Sequence, residues 1–255
     1  MSTFEDYARW YDLLYLDKDY EGEAAFVDAW LRKEVPSSER LLDLGAGTGA
    51  HALAMAARCW QVVGVDLSGN MIRRAEQRVA SHPELAARVS FRKGDVRSFT
   101  PPGAFDAVTA LFHVASYQTT PADLSQMMAT ARLALRPGGI FLFDYWYGAA
   151  VLAQGVETRV KSVEGEGIRA TRIAQSTHEE ADAIVRVNYT LFCEDLVGNS
   201  IRRIDELHVM RYWFPFEVEA LLVNNGFSGV CHFAWLTVDP PTSKTWAAYT
   251  VATAV

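Results

Sequence analysis

The sequence predicts an α/β fold: a mostly parallel sheet with helices on both faces, and an antiparallel β meander inserted before the last elements. Two observations lead to this prediction. Between residues 41 and 143, short apolar runs alternate with segments of helical spacing, as in strands joined by crossover helices. Between residues 156 and 212, β-branched runs follow one another with glycine turns between them, which indicates antiparallel strands.

The individual elements are predicted from apolar spacing and from the residues that end each run. Residues 5–33 have helical spacing, and the segment 36–38, Pro-Ser-Ser, ends it. The parallel strands are expected at 41–44, 62–65, 89–92, 104–111 and 140–143, with helices between them at 50–58, 68–79 and 124–135. The remaining elements are meander strands at 158–163, 168–173, 183–192 and 200–210, a helix at 216–225, and strands at 230–238 and 245–253.

Composition excludes several classes of protein. Of 255 residues, 50% are hydrophobic and the net charge is −7, so the chain can form a core but lacks the basic surplus of a duplex-binding protein. Cys59, Cys193 and Cys231 are widely spaced, which fits neither a disulfide framework nor a metal site. No apolar run reaches the ~20 residues of a membrane span, and the acidic start is unlike a signal peptide. We therefore expect a cytoplasmic protein with no metal, no membrane partner and no nucleic-acid partner.

A glycine-rich turn is the first sign of a cofactor site. Residues 41–49 read LLDLGAGTG, a buried strand that runs into a turn and then a helix. Glycines such as Gly45, Gly47 and Gly49 let a backbone approach a ligand closely. A nicotinamide dinucleotide site has similar spacing, but Asp43 would repel its pyrophosphate and would tolerate a positively charged sulfonium. We therefore count Asp43 among the cofactor-binding residues.

Acidic residues recur at the ends of the next two strands. Asp66 ends the second strand, where a carboxylate can accept both ribose hydroxyl protons, as it also does in NAD enzymes. Asp95 follows the third strand and can accept from an adenine amino group. Each carboxylate alone fits a helix cap or a solvated turn. At successive strand ends, and with the turn 136–139 before the fifth strand, they predict a nucleoside-containing cofactor.

The order of the segments DLGAGTG, VVGVDLS, KGDVRSF, FDAVTALFHV and LRPGGIFLFD resembles the class I S-adenosylmethionine-dependent methyltransferases over residues 40–145. The resemblance implies a Rossmann-like seven-stranded sheet and S-adenosyl-L-methionine as cofactor. It also implies cofactor contacts along the chain: the methionine portion at Gly45, Ala46, Gly47 and Gly49, the ribose at Asp66, the adenosine at Leu67 and Met71, the adenine at Asp95 and Val96, and the floor of the site at Leu111.

The segment 11–20 resembles the aromatic N-terminal lid of methyltransferases that act on amino-sugar nucleotides and other small amines. The resemblance rests on YDLLY, which contains Tyr11 and Tyr15, and on the KDY that follows. It implies a catalytic role for Tyr11, closing over the methyl group and excluding water, and a substrate contact for Tyr15. A plain amphipathic helix with tyrosines at its edge explains the pattern equally well.

The residues after the fourth and fifth strands offer further candidates, because ligands of open α/β sheets bind at the carboxyl ends of strands. His113 is the candidate catalytic base, and Tyr117 is a candidate substrate contact. The amino-sugar enzymes have a histidine nearer to the Tyr117 position, so this chain departs from their pattern. Trp146 and Tyr147 are candidate walls for a sugar or ring. A structural histidine and core aromatics are the alternative interpretations.

The end of the meander contains the last candidates. Alternation puts Glu206, His208 and Met210 on one face of a strand. The amino-sugar enzymes have a similar Glu-x-His pair, which makes His208 a candidate substrate residue. Arg211 is a second candidate, because its paired donors match a phosphate. A salt-bridged strand end is the alternative for Arg211.

Together these observations predict a methyltransferase that acts on a small soluble molecule, by N-methylation of an amine such as an amino group on a nucleotide-linked sugar. O-methylation of a sugar or phenol, an NAD-dependent oxidoreductase and a non-catalytic cofactor-binding module remain alternatives. We divide the chain into an N-terminal helical lid (1–35), a cofactor-binding core (36–150), an inserted β subdomain (151–212), and a helix and strand pair that complete the core (213–255). The edge of the inserted sheet favours a homodimer.

Overall fold

A computed structural model describes residues 8–165, 167–198 and 200–255 of the chain. In these residues the named strands form two sheets, one of seven strands and one of four. The predicted α/β fold with an inserted antiparallel meander is therefore confirmed.

The strands are, in chain order, β1 (Arg40–Leu44), β2 (Gln61–Asp66), β3 (Val89–Lys93), β4 (Phe105–Ala110), β5 (Leu135–Trp146), β6 (Arg159–Gly165), β7 (Ile168–Glu179), β8 (Ile184–Asp195), β9 (Ser200–Arg211), β10 (Phe227–Ala234) and β11 (Ala247–Ala254). The helices are α1 (Ala8–Leu14), α2 (Tyr20–Glu34), α3 (Ala50–Ala57), α4 (Gly69–Ala80), α5 (Pro121–Ala134), α6 (Gly148–Gln154) and α7 (Pro215–Asn224). A 3-10 helix at Val114–Tyr117 follows β4.

The larger sheet has the strand order β10-β11-β5-β4-β1-β2-β3. Strands β1 to β5 are parallel, and β11 is antiparallel to both of its neighbours. The strand order reverses between β1 and β4, so the loops after these strands diverge and leave a crevice at their carboxyl ends. This crevice is where the glycine-rich turn and the segment after β4 meet.

Apolar side chains cover both faces of the larger sheet. On one face, α5 and α7 pack through buried residues such as Met127 and Leu222. On the other face, α2 and α3 pack through Leu31 and Leu53. Each such side chain contributes about 1.5–3 kcal/mol on burial, so this packing holds the strand ends in fixed positions. No helix among the described residues has both the length and the apolar character needed to cross a membrane.

The inserted sheet is an antiparallel meander in the order β6-β7-β8-β9, and all four strands lie within residues 151–212. Strand β9 alternates as predicted, since Ile204, His208 and Met210 are buried while Asp205 and Leu207 are exposed. The buried face of this sheet is thereby turned towards α1 and the crevice.

Helix α1 packs on the inserted sheet. Trp10 and Leu14 are buried in an apolar cluster with Leu191 and Ile204. On its other side, Tyr11 of the same helix lines the cavity described below. Helix α1 therefore lies between the inserted sheet and the crevice of the larger sheet.

The N-terminal segment differs from the prediction of one helix over residues 5–33. Residues 5–7 lie outside the described residues, and the remainder forms two helices, α1 and α2. The break has a local cause: the Asp19 side chain accepts a hydrogen bond from the Gly22 backbone N at 2.8 Å and so caps the start of α2.

The segment Arg136–Gly139 was expected to form a turn between a helix and the fifth strand. It is instead an irregular start of β5, where the pairing with β4 jumps between Phe105 and Ala107. Gly138 has a φ of +78°, which accommodates this bulge. The short helix α6 was not predicted; it ends at Gly155, whose φ is +70°.

Candidate active site

A cavity of about 430 Å³ lies at the carboxyl ends of β1, β2 and β4, against α1 and β9. Most of the predicted site residues line it: Tyr11, Tyr15, Gly45, Ala46, Gly47, Asp66, Leu67, Met71, Asp95, Val96, Leu111, His113, Tyr117, Trp146 and His208. Four predicted residues are not in its lining: Asp43, Gly49, Tyr147 and Arg211. The fold thus brings candidate cofactor, catalytic and substrate residues to one cavity.

The three glycines of the turn have different neighbours, although all have a positive φ: +77° at Gly45, +56° at Gly47 and +78° at Gly49. A Cβ atom on Gly45 would lie 2.4 Å from Cγ2 of Val114, and one on Gly49 would lie 2.6 Å from Cζ of Phe91. A Cβ atom on Gly47 would meet nothing within 4 Å. Gly45 and Gly49 are therefore required by packing, whereas Gly47 borders space that a ligand can occupy.

Asp66, at the end of β2, holds the turn in place. Its Oδ2 accepts from the Gly47 backbone N at 2.9 Å, and its Oδ1 accepts from the Ser68 backbone N at 2.8 Å. Burial raises the pKa of Asp66, and these two hydrogen bonds oppose that rise. A carboxylate has about four acceptor sites, so Asp66 retains acceptor capacity on the side that lines the cavity.

Asp43 lies beneath the turn rather than at the cavity surface. It is buried, and its Oδ1 accepts from the Thr109 hydroxyl at 3.0 Å. Burial raises the pKa of Asp43 to about 6, with a smaller contribution in the same direction from Asp66. Direct contact between Asp43 and a cofactor stays a prediction. In this structure its carboxylate joins β1 to β4 through the hydrogen bond from Thr109.

Asp95 accepts hydrogen bonds from Arg97, which was not among the predicted site residues. Arg97 donates to it four times: from its backbone N and its Nε to Oδ1 at 2.9 and 3.0 Å, and from Nε and Nη2 to Oδ2 at 3.2 and 2.6 Å. These hydrogen bonds lower the pKa of Asp95. Arg97 also donates to Asp123 at 2.9 Å and lines the cavity. An adenine amino group would have to share Asp95 with Arg97, so that contact stays a prediction.

The loop after β4 presents His113 to the cavity through an unusual backbone. Both Phe112 and His113 have positive φ values, +66° and +68°. The buried Asp144 on β5 accepts from the His113 backbone N at 3.0 and 3.1 Å, which stabilises this conformation. The ring Nδ1 of His113 lies 2.7 Å from Asp144 Oδ2, without the alignment of a full hydrogen bond. Asp144 therefore fixes both the backbone and the side of the ring that faces away from the cavity.

Tyr11 of α1 and Tyr15 just after that helix form one aromatic wall of the cavity. The Tyr11 and Tyr15 ring centroids are 4.7 Å apart, and the Tyr15 ring meets Phe112 edge-on at 5.1 Å. The Tyr15 hydroxyl accepts from Nη1 of Arg172 at 2.8 Å. The lid tyrosines are thus held both by the loop after β4 and by the inserted sheet.

The inserted sheet and the 3-10 helix together contribute a second wall. The Tyr117 hydroxyl lies 2.8 Å from His208 Nδ1, and His208 Nε2 lies 3.3 Å from Glu206 Oε2. Burial lowers the pKa of His208, and Glu206 partly offsets that effect. The ring centroids of Tyr189 and His208 are 4.5 Å apart. Burial raises the pKa of Tyr189 to about 12. At neutral pH this wall therefore offers a neutral imidazole at His208 and a neutral phenol at Tyr189.

Tyr147 and Arg211 point to other parts of the fold. Tyr147 pairs with Trp213 and packs on the main apolar core. Arg211 donates to Glu217 at 3.2 Å and to the backbone oxygen of Asp182 at 3.1 Å. Its guanidinium also lies 4.5 Å from the ring centroid of Trp213. The salt-bridged strand end is therefore the interpretation of Arg211 that the structure supports, and a phosphate contact is not.

Several lining residues were missed by the sequence analysis: Tyr20, Thr48, Arg97, Phe112, Gln118 and Tyr189. Tyr189 could have been found, because alternation along β8 puts it on the face that also bears the buried Val187 and Leu191. Thr48 and Phe112 are direct neighbours of residues that were selected. Tyr20 belongs to the KDY segment that resembles the lid of the amino-sugar enzymes, but it was not selected as a site residue.

Comparison with known proteins identifies the domain. Residues 41–139 match the family described as "Methyltransferase domain". The chain is 28% identical, over 87% of its length and 90% of the relative's, to dTDP-3-amino-3,4,6-trideoxy-alpha-D-glucopyranose N,N-dimethyltransferase of Streptomyces venezuelae. It is 29% identical, over 87% and 85%, to dTDP-4-amino-2,3,4,6-tetradeoxy-D-glucose N,N-dimethyltransferase of Saccharopolyspora spinosa. An amino pentose methyltransferase of Micromonospora echinaspora, solved with S-adenosylmethionine bound, has a TM-score of 0.75 and 26% identity over 100% of this chain and 99% of its own.

The fold, the motif order and these matches define an S-adenosylmethionine-dependent methyltransferase. Within that class, the three relatives named above are methyltransferases of amino sugars. The predicted enzyme class and cofactor are confirmed, and the NAD-dependent and non-catalytic alternatives are not supported. The cavity fits the cofactor, because Gly47 borders open space and Asp66 retains acceptor sites for ribose hydroxyls.

Proposed function

We propose that this protein transfers a methyl group from S-adenosylmethionine to the amino group of a small molecule, of the class of nucleotide-linked amino sugars. The observation that carries the proposal is the shared cavity. Gly47 and Asp66, the candidate cofactor residues, face the same space as Tyr117 and His208 from the substrate side. The similarity to dTDP-amino-sugar N,N-dimethyltransferases over 87% of the chain supports the acceptor class.

The chemistry of an amine acceptor suits the walls of this cavity. S-adenosylmethionine supplies an electrophilic methyl group together with its leaving group. The chain has to position an amine in its neutral form, because a protonated amine has no lone pair to react. The aromatic wall of Tyr11, Tyr15 and Phe112 lowers the local dielectric and so favours the neutral amine. The same wall excludes water from the reacting atoms.

We assign proton acceptance to His113 and substrate binding to the wall that contains Tyr117 and His208. His113 lines the cavity, and the contact of Nδ1 with Asp144 leaves Nε2 as the nitrogen that can accept a proton. Tyr117 and His208 form a hydrogen-bonded pair that can bind sugar hydroxyl groups. Trp146, whose ring centroid is 6.2 Å from that of His113, extends the wall on this side.

O-methylation of a hydroxyl group is the second candidate, and the pairing of His113 with a buried carboxylate is the observation that favours it. A hydroxyl nucleophile needs a base more than an amine does, and Asp144 beside the ring would stabilise the imidazolium formed. The two reactions give products of the same added mass. The position of the methyl group therefore has to be assigned.

The test is incubation of the purified enzyme with S-adenosylmethionine and dTDP-sugars that have an amine at C3, an amine at C4, or hydroxyl groups at both positions. We expect a mass increase with the amino sugars and the new methyl group on nitrogen by NMR. Methylation of the sugars without an amine would contradict the proposal in favour of O-methylation. Turnover of none of the three would reject nucleotide-linked sugars as the acceptor class.

We also propose a homodimer in the cytoplasm. Strand β6 lies at the edge of the inserted sheet, where a second copy can pair, and Cys59 and Cys231 are exposed free thiols that suit a reducing compartment. A monomer mass by light scattering at micromolar concentration would reject the dimer. Recovery of the protein outside the cytosolic fraction would reject the compartment.

The four-part division of the chain stays a prediction, which limited proteolysis can test at residues 36, 151 and 213.

A further inference from the structure

Asp12, on α1, makes a set of polar contacts that the proposed reaction does not use. Its Oδ1 accepts from the Thr48 hydroxyl at 2.6 Å and lies 2.6 Å from Nη2 of Arg78. Its Oδ2 lies 3.1 Å from Nη2 of Arg74. One carboxylate of the lid thereby joins α1 to the glycine-rich turn and to α4.

The contact with the turn is made at its centre. Thr48 lies between Gly47 and Gly49, is buried, and lines the cavity. Arg78 donates from Nε to the Thr48 backbone oxygen at 3.0 Å, while Asp12 holds the hydroxyl of the same residue. Thr48 is therefore fixed at both its backbone and its side chain.

The same helix presents a lid tyrosine. Tyr11 precedes Asp12 in the chain and lines the cavity. Arg74 and Arg78 lie one helical turn apart on α4, so their like charges repel unless a carboxylate lies between them. Asp12 supplies that carboxylate only while α1 is docked, and the docked position of α1 is thereby favoured by charge.

We propose that Asp12 is a positioning residue that latches α1 over the cavity and holds the glycine-rich turn, so that retention of the cofactor depends on this carboxylate. The inference deepens the proposed function and rests on it, since the lid closes the same site. It assigns Asp12 no contact with the reacting atoms. Its effect is on the cofactor and passes through Thr48, Arg74 and Arg78.

The test measures the dissociation of S-adenosylhomocysteine, without any acceptor, by stopped-flow competition for wild type and Asp12→Asn. The variant removes the charge from the ion pairs with Arg74 and Arg78 and weakens the hydrogen bond from Thr48, which predicts dissociation about tenfold faster, with an unfolding midpoint close to that of wild type. Wild-type dissociation should also accelerate with added salt, which screens the partly exposed ion pairs, and this dependence should be weaker in the variant. A purely structural role would not produce that change in salt dependence.

Three further variants complete the design. Asp17→Asn is the matched control, because Asp17 follows α1 closely and pairs with Lys161 of the inserted sheet rather than with the turn. It should leave the dissociation rate unchanged. Asp12→Glu should dissociate S-adenosylhomocysteine more slowly than Asp12→Asn, since it keeps the charge, although faster than wild type. Thr48→Val should accelerate dissociation alone and add little to Asp12→Asn, because both act on the same contact between α1 and the turn: Thr48→Val removes its donor, and Asp12→Asn replaces a charged acceptor with a weaker amide oxygen.

Two results would overturn the inference. Dissociation from Asp12→Asn at the wild-type rate would show that the carboxylate does not retain the cofactor. Fully additive effects of Asp12→Asn and Thr48→Val would show that the two residues act separately. Failure of the proposed function is a different result: the wild type would bind S-adenosylhomocysteine but methylate none of the amino sugars.

Discussion

The Gly47→Ala variant separates the cost of an unfavourable backbone from the occupation of the cofactor site. Gly47 has a φ of +56°, and an added Cβ atom would meet no protein atom within 4 Å. The left-handed region costs an L-residue about 1–2 kcal/mol. In a chain of this size, 1 kcal/mol changes the unfolding midpoint by about 2–4 °C. We therefore expect Gly47→Ala to fold, with a midpoint about 2–8 °C below that of wild type.

The effect on the cofactor should be larger than the effect on the fold. The new methyl group would occupy space on the cavity side of the turn, and an extra methylene in a packed site costs about 1–3 kcal/mol. That cost corresponds to about a tenfold to hundredfold rise in the dissociation constant. Isothermal titration with S-adenosylmethionine measures the constant, and thermal unfolding without ligand measures the stability.

Two other glycines serve as matched controls. Gly138, at the start of β5, has a φ of +78° and no neighbour within 4 Å of an added Cβ, so Gly138→Ala should show the same loss of stability with unchanged cofactor affinity. Gly45→Ala adds a 2.4 Å clash with Val114 to the same backbone cost, so its midpoint should fall further than that of Gly47→Ala. Wild-type cofactor affinity in Gly47→Ala would refute the assignment of the open space beside Gly47 to the ligand.

Three further predictions test other parts of the site. Asp66→Asn should raise the cofactor dissociation constant about tenfold in titration, because an amide replaces one of the two oxygens that hold the turn; unchanged affinity would contradict a ribose contact. Glu23 is buried, which raises its pKa, but its hydrogen bonds and charge contacts with His51 and Lys18 together lower it more, from 4.5 to about 2. The stabilisation by the Glu23 carboxylate is thus complete above pH ~4.5 and is lost as the pH falls towards 2. Wild type should lose unfolding free energy on the order of 3 kcal/mol in that window, and Glu23→Gln should lose less. An equal decline in wild type and variant would disprove the ion pairing of Glu23. Tyr117→Phe removes the hydroxyl beside His208 and should raise the acceptor KM several-fold without changing cofactor affinity; a change confined to cofactor binding would place Tyr117 on the wrong side of the cavity.

The parts of the fold that follow from local spacing were predictable. Strands β1, β2 and β4 are short, mostly apolar runs, and burial on both faces leaves that pattern in the sequence. The helix break at Asp19 was not predictable from apolar spacing, because the spacing continues through it and a single side-chain cap determines the break. The bulge at Arg136–Gly139 was missed for a related reason: glycine and proline indicate an irregular backbone but not whether a turn or a bulge results.

The cofactor side of the site was easier to predict than the substrate side. The turn around Gly47 and the acid at Asp66 occur in a continuous strand–turn–helix order, so their positions follow from the chain. The pairing of Tyr117 with His208 joins residues 91 positions apart, and it exists only because the inserted sheet folds back over the crevice. Arg211 lies three positions from His208 along β9, so alternation puts the two side chains on opposite faces, and Arg211 pairs with Glu217.

The position of β11 has a consequence for how the molecule is assembled. This strand, Ala247–Ala254, lies between β5 and β10 but follows both of them in the chain, so an interior strand of the larger sheet is synthesised after its two neighbours. While the chain is being made on the ribosome, β5 and β10 cannot be joined, and the edge of β5 stays available to other chains. We expect nascent chains that stop before residue 247 to be aggregation-prone and protease-sensitive, although they already contain every residue that lines the cavity.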